Sequence, residues 1–388
     1  MSELIFENET LNQALEGHVP SYDESILLYD YSQNNTAELF QTADVLRKKH
    51  KGSNITFSKK AFFNVINLCS DTCSYCTYKA TPNDASLSML NKDSVQELAE
   101  LSMKYRCVEA LLVTGENPDS YPLAKRWLAD MNYSSTMEYL IDMSEMLLDI
   151  GLFPHTNAGN LDYSELAKLS DTNASLGLML ESTSEELLKP GMAHHLAPSK
   201  KPSSRIRVLN DAGRLGIPMT TGILLGIGET PMDAIRSIYA IQKIHNRYQN
   251  IQEVIIQNFQ PKPSTSMESC NAAPFDYFKM IVSLCRVILP TMNIQIPPNL
   301  SPTSYDTFLN LGINDWGGIS PFTPDHVNPE FSWPAINDVS EKCSLNNYTL
   351  QCRFPVYPEF LHMSSRRVQD ATKRIADEND LVKSSFWR

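Results

Sequence analysis

The chain has 388 residues, with 33 Lys and Arg against 45 Asp and Glu, a formal net charge of −12. Phosphate backbones require clustered cations, so this balance excludes a general nucleic-acid binder and favours small-molecule chemistry. No apolar run reaches the roughly 18 residues that span a bilayer, so no membrane association is expected.

Met1–Leu11 is acidic and lacks both a basic start and an apolar stretch, so no leader is evident and a cytoplasmic protein is expected. In a reducing compartment its eight cysteines are free thiols or metal ligands rather than disulfides. Residues 1–58 read as a polar, mostly helical lead-in, whose amphipathic stretch from Thr36 ends in Arg47-Lys48-Lys49-His50-Lys51-Gly52. Aliphatic runs then alternate with helix-period stretches. The runs predict strands at Ala61–Leu68, Val108–Thr114, Leu152–Thr156, Ser175–Leu180, Met219–Leu225, Glu253–Phe259 and Asn293–Ile296. The periodic stretches predict helices at Lys92–Tyr105, Ser135–Leu148, Asp162–Leu169, Ser203–Leu215, Pro231–Arg247 and Phe275–Leu289. In the last of these Cys285 shares an apolar face with Phe278, Ile281 and Val282, which predicts a packed core thiol. The order strand, helix, strand predicts an α/β fold, a full or partial (β/α) barrel of TIM type over 59–335. A C-terminal extension over 336–388 follows, its charged tail around Arg366-Arg367 reading as a solvated helix.

Cys69, Cys73 and Cys76 stand in the run Asn67-Leu68-Cys69-Ser70-Asp71-Thr72-Cys73-Ser74-Tyr75-Cys76, at the end of the first strand and with no fourth cysteine nearby. A 4Fe-4S cube normally takes four thiolates, so a chain that supplies three leaves one iron open. A structural zinc would want four protein ligands, and His50 and His155 are not suitably spaced to add one. A redox Cys-x2-Cys pair would use Cys73 and Cys76 and leave Cys69 unexplained. Parallel barrels carry their chemistry at the carboxyl ends of the strands. Polar groups follow each strand here: Gly115-Glu116, His155-Thr156-Asn157, Glu181-Ser182-Thr183, Gly226-Ile227-Gly228-Glu229, Gln257-Asn258 and Pro298-Asn299. Turns after strands are polar in any soluble protein. Glu116 reads equally as a helix N-terminal acid, and Gly226 with Gly228 as a tight turn.

The Cys-x3-Cys-x-aromatic-Cys loop after a first barrel strand resembles that of the radical S-adenosylmethionine (SAM) enzymes. Within that superfamily the chain is similar to the deazaflavin-forming subunit of FO synthase. The matching segments are Asn67 through Thr77, Leu152-Phe153-Pro154-His155-Thr156-Asn157-Ala158-Gly159, Leu178 through Ser184, Thr220 through Thr230 and Glu253 through Phe259. The most discriminating are Asp315-Trp316-Gly317-Gly318-Ile319-Ser320-Pro321 and Thr323-Pro324-Asp325-His326-Val327-Asn328-Pro329, then Trp333-Pro334. The resemblance covers residues 35–362, with Ser70 and Pro198-Ser199-Lys200 departing from the family pattern, which favours Arg after the first cysteine and Pro-Asp-Lys in the later loop.

The resemblance implies a 4Fe-4S cluster on Cys69, Cys73 and Cys76, whose unique iron chelates the amino and carboxylate groups of SAM. It also implies a 5′-deoxyadenosyl radical that takes a hydrogen from the tyrosine-derived adduct of 5-amino-6-ribitylaminouracil. Ring closure, loss of ammonia and a further oxidation then give the deazaflavin. By position, Tyr75 would lie against the adenine, Gly115 and Glu116 would hold the methionine ammonium, and Glu181 the ribose or amino group. Gly226 and Gly228 would let backbone approach the nucleoside. Asn157, Gln257, Asn258, Asn299 and Asp315 are the amides and acids expected to meet the uracil edge and ribityl chain. Asp325, His155 and His326 are the expected catalytic groups, the imidazoles moving protons during amine loss. The implied partners are a small-molecule substrate, a reductant such as flavodoxin or ferredoxin, and the adduct-forming subunit.

Overall fold

A computed structural model describes residues 5–388. Eight strands pair in parallel in chain order: β1 (Asn54–Ile66), β2 (Glu109–Thr114), β3 (Phe153–Asn157), β4 (Ser175–Gly177), β5 (Met219–Leu225), β6 (Ile251–Asn258), β7 (Ile294–Gln295) and β8 (Asp315–Ile319). β1 pairs with both β2 and β8, which closes the barrel. The runs of β2 and β5 are buried throughout, as strands covered on both faces must be. Helices Lys92–Lys104, Thr136–Asp149, Tyr163–Ser170, Pro202–Arg214, Pro231–Tyr248 and Phe275–Ile288 separate the strands. Asn91, Ser135, Asp162 and Thr230 start four of them by accepting a backbone N–H in the first turn. Cys285 is fully buried in the core, as its helical face predicts. Among the described residues no helix is long and apolar enough to cross a membrane.

β8 departs from the sequence expectation, because Asp315-Trp316-Gly317-Gly318 has the wrong composition for a strand. Its glycines are there for fit. A Cβ on Gly317 would stand 1.8 Å from Gln295 Oε1, and one on Gly318 2.2 Å from Lys60 Cδ, so each leaves room for a side chain from a neighbouring strand. β1 begins at Asn54, ahead of the expected Ala61 and across the boundary drawn at residue 58, because its first residues pair with β9 (Thr349–Cys352).

The segment after β9 plugs the amino end of the barrel. Arg353 is buried, with Nε 2.7 Å from Asp315 Oδ2 and Nη2 2.8 Å from Glu253 Oε1. Tyr357 donates its hydroxyl to Glu253 at 2.8 Å, and Gln252 Nε2 and Ser175 Oγ both donate to the Pro355 carbonyl. The donors and acceptors on the barrel side stand at or near the first residues of β4, β6 and β8.

Candidate active site

The opposite, carboxyl end holds a cavity of about 340 Å³. Cys69, Cys73, Tyr75 and Cys76 line it from the loop after β1, Gly115 and Glu116 from the end of β2, Asn157 from β3, Glu181 from beyond β4, and Gln257 and Asn258 from β6.

The cysteine loop is curled by its neighbours. Ser70 donates its N–H to the Glu116 carbonyl at 2.9 Å, Thr72 to Leu196 at 2.7 Å, and Ser74 to Ala193 at 2.9 Å. The Tyr121 hydroxyl donates to the Cys69 carbonyl at 2.7 Å, and the Glu116 N–H to Cys69 Sγ at 3.2 Å. β2 and the loop after β4 thus hold the three thiols at the cavity wall. Burial pushes the Cys69 thiol above its ordinary value and Cys73 up to about 12. Thiols so placed give up their protons readily only to a metal. Among the described residues no three His, Cys, Asp or Glu side chains converge on a point fit for a single ion. Three cysteines from one loop on one cavity wall are the donor type that holds an iron-sulfur cluster.

Beside the thiols, the Glu116 carboxylate accepts the Asn160 N–H at 3.1 and 3.2 Å, with Arg205 Nη2 3.9 Å away. Gly159 faces this carboxylate at φ +74°, where a Cβ would stand 2.4 Å from Glu116 Oε2. Burial would raise the Glu181 carboxyl, but Lys200 Nζ at 2.6 Å, with Arg205 beyond it, holds it below the usual range. Tyr75 shares a hydrogen bond at 3.0 Å with His194 Nε2, and burial pushes that imidazole down to about 4. Asn157 and Gln295 line the cavity, and the Oδ1 of the first and Oε1 of the second are buried with no hydrogen-bond partner, packed against Gly177 and Gly317.

Over the rim, Asp325 lines the cavity but its carboxylate accepts from Val327 N, Asn328 N, Asn328 Nδ2 and Asn299 Nδ2 at 3.0–3.1 Å. It therefore fixes a turn and has little capacity left to act as a base. Lys262 Nζ pins the same turn through the Val327 carbonyl at 2.9 Å.

Several expected residues stand elsewhere. Asn299 lies beneath that turn, and Asp315 belongs to the amino-end plug with Arg353. Gly226 and Gly228, at φ +92° and +107°, form a tight turn in which the Gly226 N–H donates to Glu229 at 2.8 Å. His155 sits deep in the barrel, 2.7 Å from Ser175 Oγ, and burial pushes it down to about 4. His326 packs edge-on against Phe62, ring centres 5.0 Å apart. None of these lines the cavity. Lys60, Lys200, Arg205 and Gln295 do line it, none of them among the expected site residues. Period-2 alternation through Lys60-Ala61-Phe62 was the available signal, since it puts Lys60 on the lumen face beside Phe62.

The family model of the radical SAM superfamily matches residues 63–238. The chain is 42% identical over 330 residues to a 7,8-didemethyl-8-hydroxy-5-deazariboflavin synthase of Methanococcus maripaludis strain C6, covering 84% of this chain and 92% of that one. It is 38% identical over 365 residues to an FO synthase of Nocardia farcinica, covering 90% of this chain and 42% of that longer one. Among solved structures, the FeFe-hydrogenase maturase HydG from Carboxydothermus hydrogenoformans superposes with a TM-score of 0.70 at 18% identity, over 94% of this chain and 87% of that one, and so shares the fold. Enzymes of this superfamily use a 4Fe-4S cluster and SAM, and the thiol loop and the carboxylate cradle beside it fit both. The extent and identity of these matches place the chain in the 7,8-didemethyl-8-hydroxy-5-deazariboflavin synthase family of radical SAM enzymes, to which it belongs.

Proposed function

We propose that the chain makes the deazaflavin FO from the tyrosine-derived adduct of 5-amino-6-ribitylaminouracil, inside the cavity at the carboxyl end of its barrel. The observation that carries this is the meeting, in one space of about 340 Å³, of three cysteines on one loop, a pre-set carboxylate and a wall of amides.

Cys69, Cys73 and Cys76 would hold the cube as thiolates, and the Glu116 N–H on Cys69 Sγ would draw charge from that sulfur. The Glu116 carboxylate, fixed by Asn160, would take the methionine ammonium of SAM through a charge-assisted hydrogen bond. Tyr75, braced by His194, would offer its ring to the adenine, and Glu181, braced by Lys200, an oxygen to the ribose. Held there, a reduced cluster and SAM would supply one-electron radical chemistry able to take a hydrogen atom from the adduct. Asn157, Gln257 and Asn258 would meet the uracil and ribityl groups, while Phe62, Leu111 and Val113 keep water from the reacting centre. A one-electron donor such as flavodoxin or ferredoxin and an adduct-forming partner would complete the reaction, in a reducing cytoplasm that would suit eight cysteines without a disulfide.

The test is to give the anaerobically reconstituted protein SAM, reductant and the adduct. Deazaflavin fluorescence appearing with 5′-deoxyadenosine supports the assignment. Release of 5′-deoxyadenosine without deazaflavin would leave radical chemistry in place and remove the adduct as substrate.

A further inference from the structure

Among the described residues four cations line the cavity, and three have a protein oxygen for a partner. Lys200 is paired with Glu181 at 2.6 Å, Lys262 donates to the Val327 carbonyl at 2.9 Å, and Arg205 reaches Ser199 Oγ at 3.4 Å and Glu116 at 3.9 Å through Nη2, its Nε unpartnered. Lys60 is different. Its residue is 8% exposed, and its Nζ stands 4.5 Å from the centre of the Trp333 ring with no oxygen acceptor among the described residues. Burial pushes the ammonium below the ordinary lysine value, against the pull of Glu109 and Asp325. This ammonium opens onto the cavity, from which a ligand can supply the missing oxygen.

A second unsatisfied group lines the same cavity from the other side of β8. Gln295 reaches over Gly317, and Lys60 over Gly318, from the strands that flank β8 on either side. Both side chains line the same cavity, one from each strand that flanks β8. Gln295 Oε1 is buried and unpartnered. Together they present an ammonium, which only donates, and a carboxamide, which both donates and accepts.

We propose that Lys60 and Gln295 form a recognition pair for a cyclic imide, the C(=O)–NH–C(=O) edge of a pyrimidinedione. The carboxamide pairs with the imide N–H and one carbonyl, and the ammonium takes the other carbonyl. Trp333, which covers Lys60, shields that bond from water. The inference rests on the FO-forming reading above, since the adduct and FO both carry such an edge, and it assigns which side of the lumen holds it. Two glycines in a strand are the local cost of housing the pair.

The test uses the protein with its cluster reconstituted anaerobically and the fluorescence of FO as the binding signal. Dissociation constants are compared for FO and for FO methylated at the imide nitrogen, on the unaltered protein, Lys60→Met and Gln295→Leu, all at equal iron and sulfide content. Losing a charge-assisted hydrogen bond weakens binding roughly ten- to a hundredfold, and losing a neutral one roughly fivefold. Lys60→Met is expected to weaken FO by the larger factor. Gln295→Leu, or methylation on the unaltered protein, is expected to weaken it by at least the smaller one, and the two together to add little further. Equal affinity of the unaltered protein for FO and methylated FO overturns the pair, as does Lys60→Met binding FO as tightly as the unaltered protein. The ligand comparison needs no variant, so it decides even where a substitution prevents folding. FO that binds without discrimination removes this inference alone. An unaltered protein that neither binds FO nor forms it from the adduct removes the proposed function and this inference together.

Discussion

Lys200 Nζ lies 2.6 Å from Glu181 Oε1, a buried ion pair that links the loop before helix Pro202–Arg214 to the residue that ends β4's path into the cavity wall. Glu181 holds a left-handed backbone, φ +65°, that a side chain rarely adopts without compensating contacts. Lys200→Met strands the carboxylate and is expected to cost about 3–5 kcal/mol, while Lys200→Met with Glu181→Leu is expected to recover much of it. Thermal unfolding of the two variants checks this. A single variant as stable as the unaltered protein would show that the stranded carboxylate costs the fold nothing.

Gly159 carries no Cβ where one would strike the Glu116 carboxylate. Gly159→Ala should therefore displace that carboxylate, and Glu116→Gln should remove its charge. Both are expected to weaken SAM roughly tenfold or more, with iron content preserved. Equilibrium binding of SAM to the reconstituted variants reads this directly, and unchanged affinity in Glu116→Gln would take the methionine ammonium away from this residue.

His155 is kept neutral by burial, with Glu109 opposing and Arg353 and Lys60 reinforcing that effect, its value falling from 6.5 to about 4. The unfolded chain binds this proton at about pH 6.5, and the folded chain holds out to about pH 4. The resulting contribution to stability is full above about pH 6.5 and declines as pH falls toward 4, by about 1.4 kcal/mol per unit. His155→Gln should make the urea-unfolding free energy fall less steeply between about pH 7 and about pH 5. Equal slopes would mean that the folded protein already carries this proton.

Arg353 serves two carboxylates, Asp315 and Glu253, inside the amino-end plug. Burial raises Glu253 against the pull of that guanidinium. Arg353→Met should lower stability by about 3–5 kcal/mol, seen as a lower thermal midpoint. An unchanged midpoint would mean that the plug is dispensable.

The aliphatic strands were legible because parallel strands covered on both faces are apolar throughout, as in Met219–Leu225. β8 was not, because its glycines answer to Lys60 and Gln295 on other strands, a relation that exists only in three dimensions. β9 is four residues long with alternating burial and offers too little pattern. Within the site, the cysteine loop, Glu116, Asn157, Glu181, Gln257 and Asn258 could be read from residue type and their place after strands. His155 and Asp315 were drawn toward the mouth because sequence does not say which end of a strand a polar residue serves. Asp315 is the first residue of β8 and faces the plug. Alternation marks Lys60 as a lumen residue but not as one without an acceptor, and nothing in sequence marks Arg205, whose meaning lies in the carboxylate it approaches.

Cys69, Cys73 and Cys76 are expected to hold an iron-sulfur cube whose fourth iron binds SAM. Electron paramagnetic resonance of the anaerobically reduced protein, recorded before and after SAM is added, reads both at once. The expected result is a reduced-cluster signal that changes when SAM binds and that vanishes, with the iron, in Cys73→Ala. A protein that takes up no iron and sulfide, or a cluster signal indifferent to SAM, would contradict it.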